Sequence, residues 1–449
     1  MKLLLIIIIM QQFLSASIDA LTLNEAIQIL QTKNLEIKAA SLDVAIAKQD
    51  EESVSGASWG KLDFVEDVAR SNDAGNVFGF KLTSREATFG DFGLSEFSTT
   101  NPNILNVQPN DLNYPDDRNF FQSKLRYEVP LFTGFALSSY SGIMHSMTQI
   151  QLLNKQELIN TKVYELRKSY YNMALLKSSI ANLSTILQNI EKLEETTQSM
   201  IDVGYAKKVD LLEVSAKGGN VKRLLVQMNS NKTLLYHYIS FLLNQKITQI
   251  TTPNSEIEMP NLSDENILSS NLDIKKAATG LEIRKNMLFA KEASYYPTVG
   301  AFGEVATADN SFLGDAVKHQ AYTVGARLTW NIFSGGRDSA KIQKSKLELL
   351  KMQSQMSLAK NGIKLKIAKI RTEIASADEE IKSLTKELEL ADAIYDNYEG
   401  RYREKLTSMN DVIIKQSQQI QKILQLQIAK NKRNEKIFAL EKLANTKGL

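Results

Sequence analysis

Apolar side chains recur along this chain with a helical period over several long stretches. Between 367 and 402 they step by three and four positions in alternation over five heptads, and a shorter series of the same kind covers 176–190. Over 214–242 apolar residues recur every seven positions. This spacing is the seam of a coiled coil. Because no proline lies in 131–252 or after 297, helices of about 65 residues, about 100 Å long, meet no obstacle. The pattern predicts long helices at 137–203, 210–250, 338–403 and 410–445.

A period of two residues precedes two of these helices. In 121–131 and in 322–332 apolar residues alternate with polar ones, as in a strand with one apolar and one polar face. Weaker segments of the same kind come earlier in each half. We therefore expect four strands, around 60–68, 120–131, 297–307 and 320–332. The polar face is expected to carry Lys124, Arg126, Glu128 and Arg327.

Alternation alone is compatible with a soluble sandwich as well as with a membrane barrel that has a polar lumen. Aromatic residues near the strand ends, strand lengths of about 11 residues and an export signal together favour the barrel. Four strands cannot enclose a channel, and lipid does not tolerate unpaired sheet edges. Other copies of the chain must therefore complete the sheet, and three copies would supply twelve strands.

The export signal is at the N-terminus. Lys2 is followed by an apolar run, and polar and small residues then lead to "SIDA", the order of a secretory signal peptide. We expect residues 1–20 to be removed by cleavage after Ala20, with Ser17 as the alternative. The apolar run is too short for a membrane-spanning helix, which needs about 20 residues.

The chain contains an internal repeat. "VPLFTGF" at 129–135 and "WNIFSGG" at 330–336 stand 201 residues apart, each between a strand pattern and a helix pattern. The glycines of these junctions are expected to supply backbone angles barred to other residues, and the phenylalanines to fill the turn. The predicted junction residues are Phe132, Gly134, Phe333, Gly335 and Gly336.

The repeat also defines the organisation of the chain. We expect a first repeat at 21–250, a linker at 251–262 that contains two prolines, and a second repeat at 263–449. Near the start of each half the offset between matching residues becomes 237, so the first half carries 36 more residues. These lie in a long loop at 69–119, rich in proline, glycine and asparagine, which we expect to be extracellular.

Composition excludes several classes of protein. The chain has 54 basic and 51 acidic residues and a formal charge of +3, so it lacks the basic footprint of a nucleic-acid-binding protein. It has no cysteine, which rules out a disulfide framework and a lipid-anchored cysteine.

In these features the sequence resembles the TolC-like outer-membrane factors. The resemblance rests on "LTLNEAIQIL" at 21–30, the paired junctions, "YYPTVG" at 295–300, and the helix turns "VGYAKKVDLL" at 203–212 and "EKLTSMNDVI" at 404–413. It implies a mixed α/β fold and a homotrimer, with a twelve-stranded barrel in the outer membrane continued by a tunnel of helices in the periplasm. The implied function is the exit duct of a tripartite efflux pump or a type I secretion system. The implied partners are a periplasmic adaptor and an inner-membrane transporter.

The sequence departs from the family pattern at two places. Trp59 and Gly60 stand where the second half has Tyr-Pro, and Lys405 stands where the first half has Gly204. The family usually has glycine at the helix-turn tip in both repeats, so the shape of the second turn is open to question.

The resemblance also indicates a gate at the periplasmic end of the tunnel. Asp411 matches the upper acid of the constriction, while Ile414 replaces the next acid. Tyr402 and Asp210 match a tyrosine and an acid that tie neighbouring coils together, and Thr407 takes the place of a basic partner. Helix capping is the alternative role for both acids, and a place in the coiled-coil seam is the alternative for Tyr402.

Catalysis has little support in the sequence. The three histidines, at 145, 237 and 319, are far apart, with no acid or cysteine at the spacing of a metal site. We therefore expect no enzyme and no cofactor. The alternatives to an exit duct are a substrate-selective porin, which needs many strands in one chain, and a structural coiled-coil protein of the envelope, which needs no alternating strands. A passive duct contacts its cargo only through the lumen, so no substrate follows from the sequence.

Overall fold

The computed structural model describes residues 20–253 and 257–446, so residues 1–19 of the predicted signal peptide and 254–256 of the predicted linker lie outside the described residues. Within these ranges four strands and a series of helices follow one another. The elements in chain order are α1 (Leu23–Lys33), α2 (Leu35–Gly56), β1 (Lys61–Ser71), α3 (Ala74–Thr83), α4 (Asn110–Asn113), β2 (Arg118–Phe132), α5 (Ala136–Asp202), α6 (Lys208–Leu243), α7 (Asp264–Ser270), α8 (Leu272–Glu292), β3 (Thr298–Asp309), β4 (Gln320–Thr329), α9 (Arg337–Arg403) and α10 (Met409–Leu443).

The long helices lie where the apolar pattern predicts them, and two of them, α5 and α9, have 67 residues each. The predicted end of α6 at 250 is wrong. The helix ends at Leu243 because Asn244 adopts a left-handed conformation, with φ of 46°, and caps the last turn. Beyond this cap the chain returns towards the N-terminus, where Ile250 forms an isolated parallel bridge with Leu21.

The four strands form one antiparallel sheet in the order β1-β2-β3-β4. Strands β2 and β3, from different repeats, are hydrogen-bonded to each other in its centre. The predicted end of the fourth strand at 332 is wrong, because the ladder stops where Thr329 pairs with Thr298. Pro297 immediately precedes Thr298 and has no N–H with which to extend the ladder.

The chain divides into two compact units that cut across the sequence repeats. One consists of residues 46–148 and 280–352 and contains the sheet; the other consists of the remaining described residues and is helical. Each unit includes segments from both repeats. The repeats are therefore units of sequence, and the compact bodies form by pairing their equivalent parts.

The helical unit is held together by the predicted seams. Ile367, Ile374 and Tyr395 on α9 have 0%, 3% and 2% of their surface exposed. Near the helix-turn tips, α9 packs against α5, α6 and α10 in one apolar cluster that includes Ile190, Val214 and Tyr395. Burial of these side chains is the main force that holds the helices side by side.

Within the sheet unit, the loops that connect one strand to the next lie at one end of the sheet, and the helices join the strands at the other end. The loop between β1 and β2, at 72–117, and the short loop between β3 and β4, at 310–319, both lie at one end; we call it the loop end. The long loop is folded: Phe80 of α3 stacks on Phe120 with ring centroids 4.2 Å apart. No helix in the described ranges is both long and apolar enough to cross a membrane.

Candidate functional site: the sheet faces and the helix-turn tips

One face of the sheet is apolar and uncovered. The strand register brings large apolar side chains from all four strands to this face. Their exposed fractions range from 42% for Tyr127 to 81% for Tyr322. A contiguous apolar surface of this kind needs an apolar partner, and in a sheet with polar residues on the other face, lipid is a suitable one. The exposed members are Leu62, Phe64, Val68, Leu125, Tyr127, Val305, Tyr322, Val324 and Leu328.

The opposite face carries the charged residues. Lys124, Arg126 and Glu128 occupy alternate positions of β2 and therefore share one face. Arg327 lies on the same face, because it pairs with Gly300 of β3, and Gly300 pairs with Pro130 of β2. Lys124 forms an ion pair with Asp67 at 2.8 Å, and Arg126 pairs with Glu128. The structure thus brings the four predicted polar-face residues to one surface; that this surface lines a lumen stays a prediction.

Sequence reasoning missed one interruption of the apolar face. Glu66 on β1 points to that face, directly opposite Ser123 on β2. The Ser123 hydroxyl donates a hydrogen bond to the Glu66 carboxylate, which partly satisfies the charge. On the polar face, the apolar residue Val65 next to Glu66 also breaks the alternation. These two residues explain why β1 has one of the two weaker strand patterns in the sequence.

The first strand-to-helix junction is closely packed around Gly134. This residue has φ of 62°, and a Cβ added to it would lie 2.7 Å from the carbonyl oxygen of Ala293 and 2.9 Å from Cβ of Tyr296. Phe132 contacts the ring of Phe135 edge-on, with centroids 5.3 Å apart, and Phe135 contacts Tyr296 in the same way at 5.7 Å. Glycine is therefore required at 134 for two reasons: its backbone is left-handed, and the surrounding atoms leave no room for a Cβ.

The second junction differs, and the prediction that Phe333 fills it is wrong for the single chain. Phe333 is 86% exposed, and Ile332 and Trp330 beside it are 84% and 55% exposed. Gly335 and Gly336 have φ of 64° and 82°, as predicted for left-handed positions, but no atom lies within 4 Å of an added Cβ. The reason is that this junction follows β4, which is an edge strand, whereas the first junction follows β2 in the centre of the sheet.

The departure at Trp59 and Gly60 has a local cause. Gly60 has φ of 79°, which proline cannot adopt, and an added Cβ would lie 2.2 Å from the carbonyl oxygen of Glu128. The Tyr127 hydroxyl donates a hydrogen bond of 2.5 Å to the carbonyl of Trp59. The first strand therefore begins after a left-handed glycine, whereas the third begins after Pro297.

The departure at Lys405 leaves the shape of the helix turn unchanged. Lys405 has φ of 63° and Gly204 has φ of 82°, so both residues are left-handed. The hydrogen bonds also correspond: Tyr205 N–H donates to Met200 at 2.7 Å, and Leu406 N–H donates to Arg401 at 2.8 Å. The Lys405 ammonium lies 3.3 Å from the centroid of the Tyr205 ring, and this cation–π contact links the two turns.

The two candidate gate acids both act as helix caps. The Asp210 carboxylate accepts a hydrogen bond of 2.8 Å from the Lys207 N–H at the start of α6. Asp411 forms a capping box with Ser408, whose hydroxyl donates to it at 2.6 Å, and the Thr407 hydroxyl donates to it at 3.1 Å. These hydroxyl bonds lower the pKa of Asp411, so it is ionised at neutral pH. A charged ring role for Asp411 is compatible with capping and stays a prediction.

Tyr402 lies in the seam, close to the helix-turn tips. It is 5% exposed, and its hydroxyl is 3.3 Å from Oγ1 of Thr197 on α5. Burial raises the pKa of Tyr402, the Thr197 bond lowers it, and the charge of Asp210 raises it slightly further. Within one chain Tyr402 therefore packs in the coiled coil, and its role in a gate stays a prediction.

Solved structures with a similar fold include two outer-membrane proteins. VceC of Vibrio cholerae superposes with a TM-score of 0.77 at 12% identity, covering 95% of this chain and 97% of that one. The MtrE outer membrane channel of Neisseria gonorrhoeae superposes with a TM-score of 0.73 at 15% identity, covering 94% and 88%. The predicted fold class, a mixed α/β protein with a four-stranded sheet and long helices, is confirmed.

Sequence comparison leads to the family. Residues 265–446 match the model of the family described as "Outer membrane efflux protein". The outer membrane efflux protein BepC of Brucella suis biovar 1 (strain 1330) is 19% identical over 250 residues, 55% of this chain and 55% of that protein. The match thus spans about half the length of this curated relative. These findings confirm the TolC-like resemblance and the predicted location in the outer membrane.

Proposed function

We propose that the protein is an outer-membrane channel that serves as the exit duct of a tripartite efflux pump or a type I secretion system. The observation that carries this proposal is the uncovered apolar face of the sheet, backed by a charged face within the same four strands. Such a sheet is suited to lipid on one side and water on the other. The family match and the fold of the related channels support the same function.

The channel forms as a homotrimer. Strands β1 and β4 are both edges, and unpaired edges are not tolerated in lipid. At the β4 edge, Trp330, Ile332 and Phe333 are exposed, whereas the equivalent junction after β2 is covered. The β1 edge of the next copy would cover them, and three copies of four strands give a closed barrel of twelve. A porin built from one chain would need more strands than the four in the described residues.

The loop end faces the cell surface, and the helices lead into the periplasm. The long loop at 72–117 and the helices attach at opposite ends of the strands, which supports this orientation. At the periplasmic tips the protein would bind an adaptor protein and, through it, an inner-membrane transporter. These partners would select the substrate, whether a drug, a metal ion or a protein.

The proposal is tested in cells by two measurements. An epitope inserted beside Asn110 in the long loop should be labelled on intact cells, and crosslinking should recover a trimer together with an adaptor and a transporter. Recovery of a drug transporter would identify efflux, and recovery of an ATP-driven protein exporter would identify secretion. A detergent-stable monomer that conducts ions, or labelling only after the outer membrane is broken, would contradict the proposal.

The gate provides a prediction of its own. In the proposed gate the Tyr402 hydroxyl donates a hydrogen bond to Asp210 of the neighbouring coil. Tyr402→Phe combined with Asp210→Ala is expected to loosen the closed state, since such a charge-assisted bond is worth about 1.5–3 kcal/mol when shielded and less in a wet channel mouth. Single-channel recording in planar bilayers should show higher or more frequent conductance at unchanged trimer yield. Asp411→Ala should instead change cation preference, because it removes one charge from each chain.

Thr197→Val is the control for this experiment. It removes the hydroxyl that contacts Tyr402 within one chain and leaves Asp210 in place. We expect it to lower thermal stability without changing conductance. If the double variant behaves in the same way as this control, then Tyr402 is a packing residue, Asp210 is a helix cap, and the gate lies elsewhere.

A further inference from the structure

Three potential metal ligands meet at the loop end of the sheet. Glu86 comes from the long loop, Asp309 from the last position of β3, and His319 from the residue before β4. One ligand atom from each lies within 4.8 Å of the other two. The Nδ1 atom of His319 is 3.7 Å from Oδ2 of Asp309, and both side chains are only 12% exposed. Glu86 lies more than 200 residues before the other two, so a search of the sequence for the spacing of metal ligands does not find this cluster.

Hydrogen bonds fix the carboxylate of Asp309 in position. It accepts bonds of 2.6 Å from the N–H groups of Asn310 and Asp315. Gly314 passes so close that an added Cβ would lie 2.0 Å from Oδ2 of Asp309. The short loop between β3 and β4 is therefore wrapped around this side chain, and the carboxylate is oriented before any ligand arrives.

One nitrogen of the His319 imidazole makes no hydrogen bond within the described part of the chain. This nitrogen, Nδ1, is buried. A buried polar atom without a partner is unfavourable and calls for an explanation, such as an ion. Imidazole nitrogen is a good ligand for zinc and its neighbours in the transition series and a poor one for Mg²⁺ or Ca²⁺.

We propose that Glu86, Asp309 and His319 bind one divalent transition-metal ion of the zinc class. One nitrogen and two carboxylate oxygens form a three-ligand set that leaves a coordination position for water. Because Glu86 belongs to the long loop and the other two residues to the β3–β4 hairpin, the ion would tie the long loop to the sheet. The inference concerns a property of the purified protein and does not depend on transport.

Arg118 opposes metal binding and provides a specific test. Its guanidinium pairs with the Glu86 carboxylate, and its Nε atom is buried without a hydrogen-bond partner among the described residues. The positive charge of Arg118 offsets one of the two carboxylates that face the ion. Removing it should therefore strengthen metal binding, an effect that an adventitious surface histidine would not show.

Zinc titration of the full-length protein in detergent, after removal of metals with a chelator, tests the proposal. We expect one Zn²⁺ per chain in calorimetry, at least about tenfold weaker binding in His319→Gln and in Glu86→Gln, and tighter binding in Arg118→Gln. His145→Gln is the matched control: His145 also faces one acid, Glu51, at 2.9 Å, but is 62% exposed. Equal binding by His319→Gln and wild type, or equal loss in His145→Gln, would overturn the proposal.

Limited proteolysis gives an independent readout. Arg85 is an exposed trypsin site next to Glu86, so Zn²⁺ should slow cleavage there in the wild type but not in His319→Gln. Should His319→Gln fail to assemble, Glu86→Gln provides the same comparison without changing the hairpin. Protection that appears on acidification without metal, and not with Zn²⁺, would indicate a His319–Asp309 ion pair instead and would overturn the metal site.

Discussion

Leu125→Arg is expected to abolish the assembled protein in the outer membrane. Leu125 lies near the middle of β2 on the apolar face, between Phe64 of β1 and Val305 of β3. An arginine at the centre of the lipid-facing surface of a barrel costs about 2–4 kcal/mol, and the proposed homotrimer contains the change three times. The fraction of heat-stable trimer in outer-membrane preparations, measured by gel electrophoresis without boiling, should fall to background.

Gln122→Arg is the matched control for this prediction. It lies on the same strand, three residues away and on the charged face, where its register partner is Asp67. An added arginine there meets water and a neighbouring carboxylate, so the trimer should form at the wild-type level. Normal assembly of Leu125→Arg, or a selective loss in Gln122→Arg, would mean that the lipid and lumen faces are assigned the wrong way round.

The sequence was sufficient to predict the parts of this fold that depend on periodic patterns. Apolar residues recur at three- and four-residue steps over five heptads of 367–402. Residues with this spacing lie on one face of a helix, and that face is the one that is buried. Alternation likewise fixes which residues share a sheet face, because a shift by one residue would exchange the two faces. Lys124 and Arg327 could therefore be assigned to one surface before their strands were known to share a sheet.

Element ends and edges were harder to predict because they depend on neighbours distant in sequence. The fourth strand ends at Thr329 since its partner begins after Pro297, and no pattern within the strand itself contains that information. Phe132 and Phe333 occupy equivalent positions in the repeat, yet Phe333 is 86% exposed because β4 lies at an edge. The repeat predicts equivalent turns; the position of each strand in the sheet determines what covers them.

The two helix turns show that different residues can adopt the same backbone conformation at equivalent positions. Lysine in place of glycine at 405 suggested a different turn, but Lys405 adopts the left-handed conformation and repeats the hydrogen bonds of the Gly204 turn. A left-handed lysine is unfavourable relative to glycine. Its contact with the Tyr205 ring, at 3.3 Å, is a gain that glycine could not provide. The contact with the Tyr205 ring therefore offsets part of the backbone cost of lysine, and the turn keeps its shape.

Gly134→Ala is expected to be much more damaging than Gly335→Ala, although both residues occupy equivalent junctions. Each is left-handed, with φ of 62° and 64°, so alanine costs about 1–2 kcal/mol at either position. Only at 134 would the new Cβ lie 2.7 Å from the carbonyl oxygen of Ala293 and 2.9 Å from Cβ of Tyr296. Crowding of this kind adds about 1–3 kcal/mol. The temperature at which the trimer dissociates in detergent should therefore fall strongly for Gly134→Ala and slightly for Gly335→Ala. An equal fall in both variants would contradict this explanation, since it would mean that Gly335 is as crowded as Gly134 in the assembled protein and that edge and central junctions are packed alike.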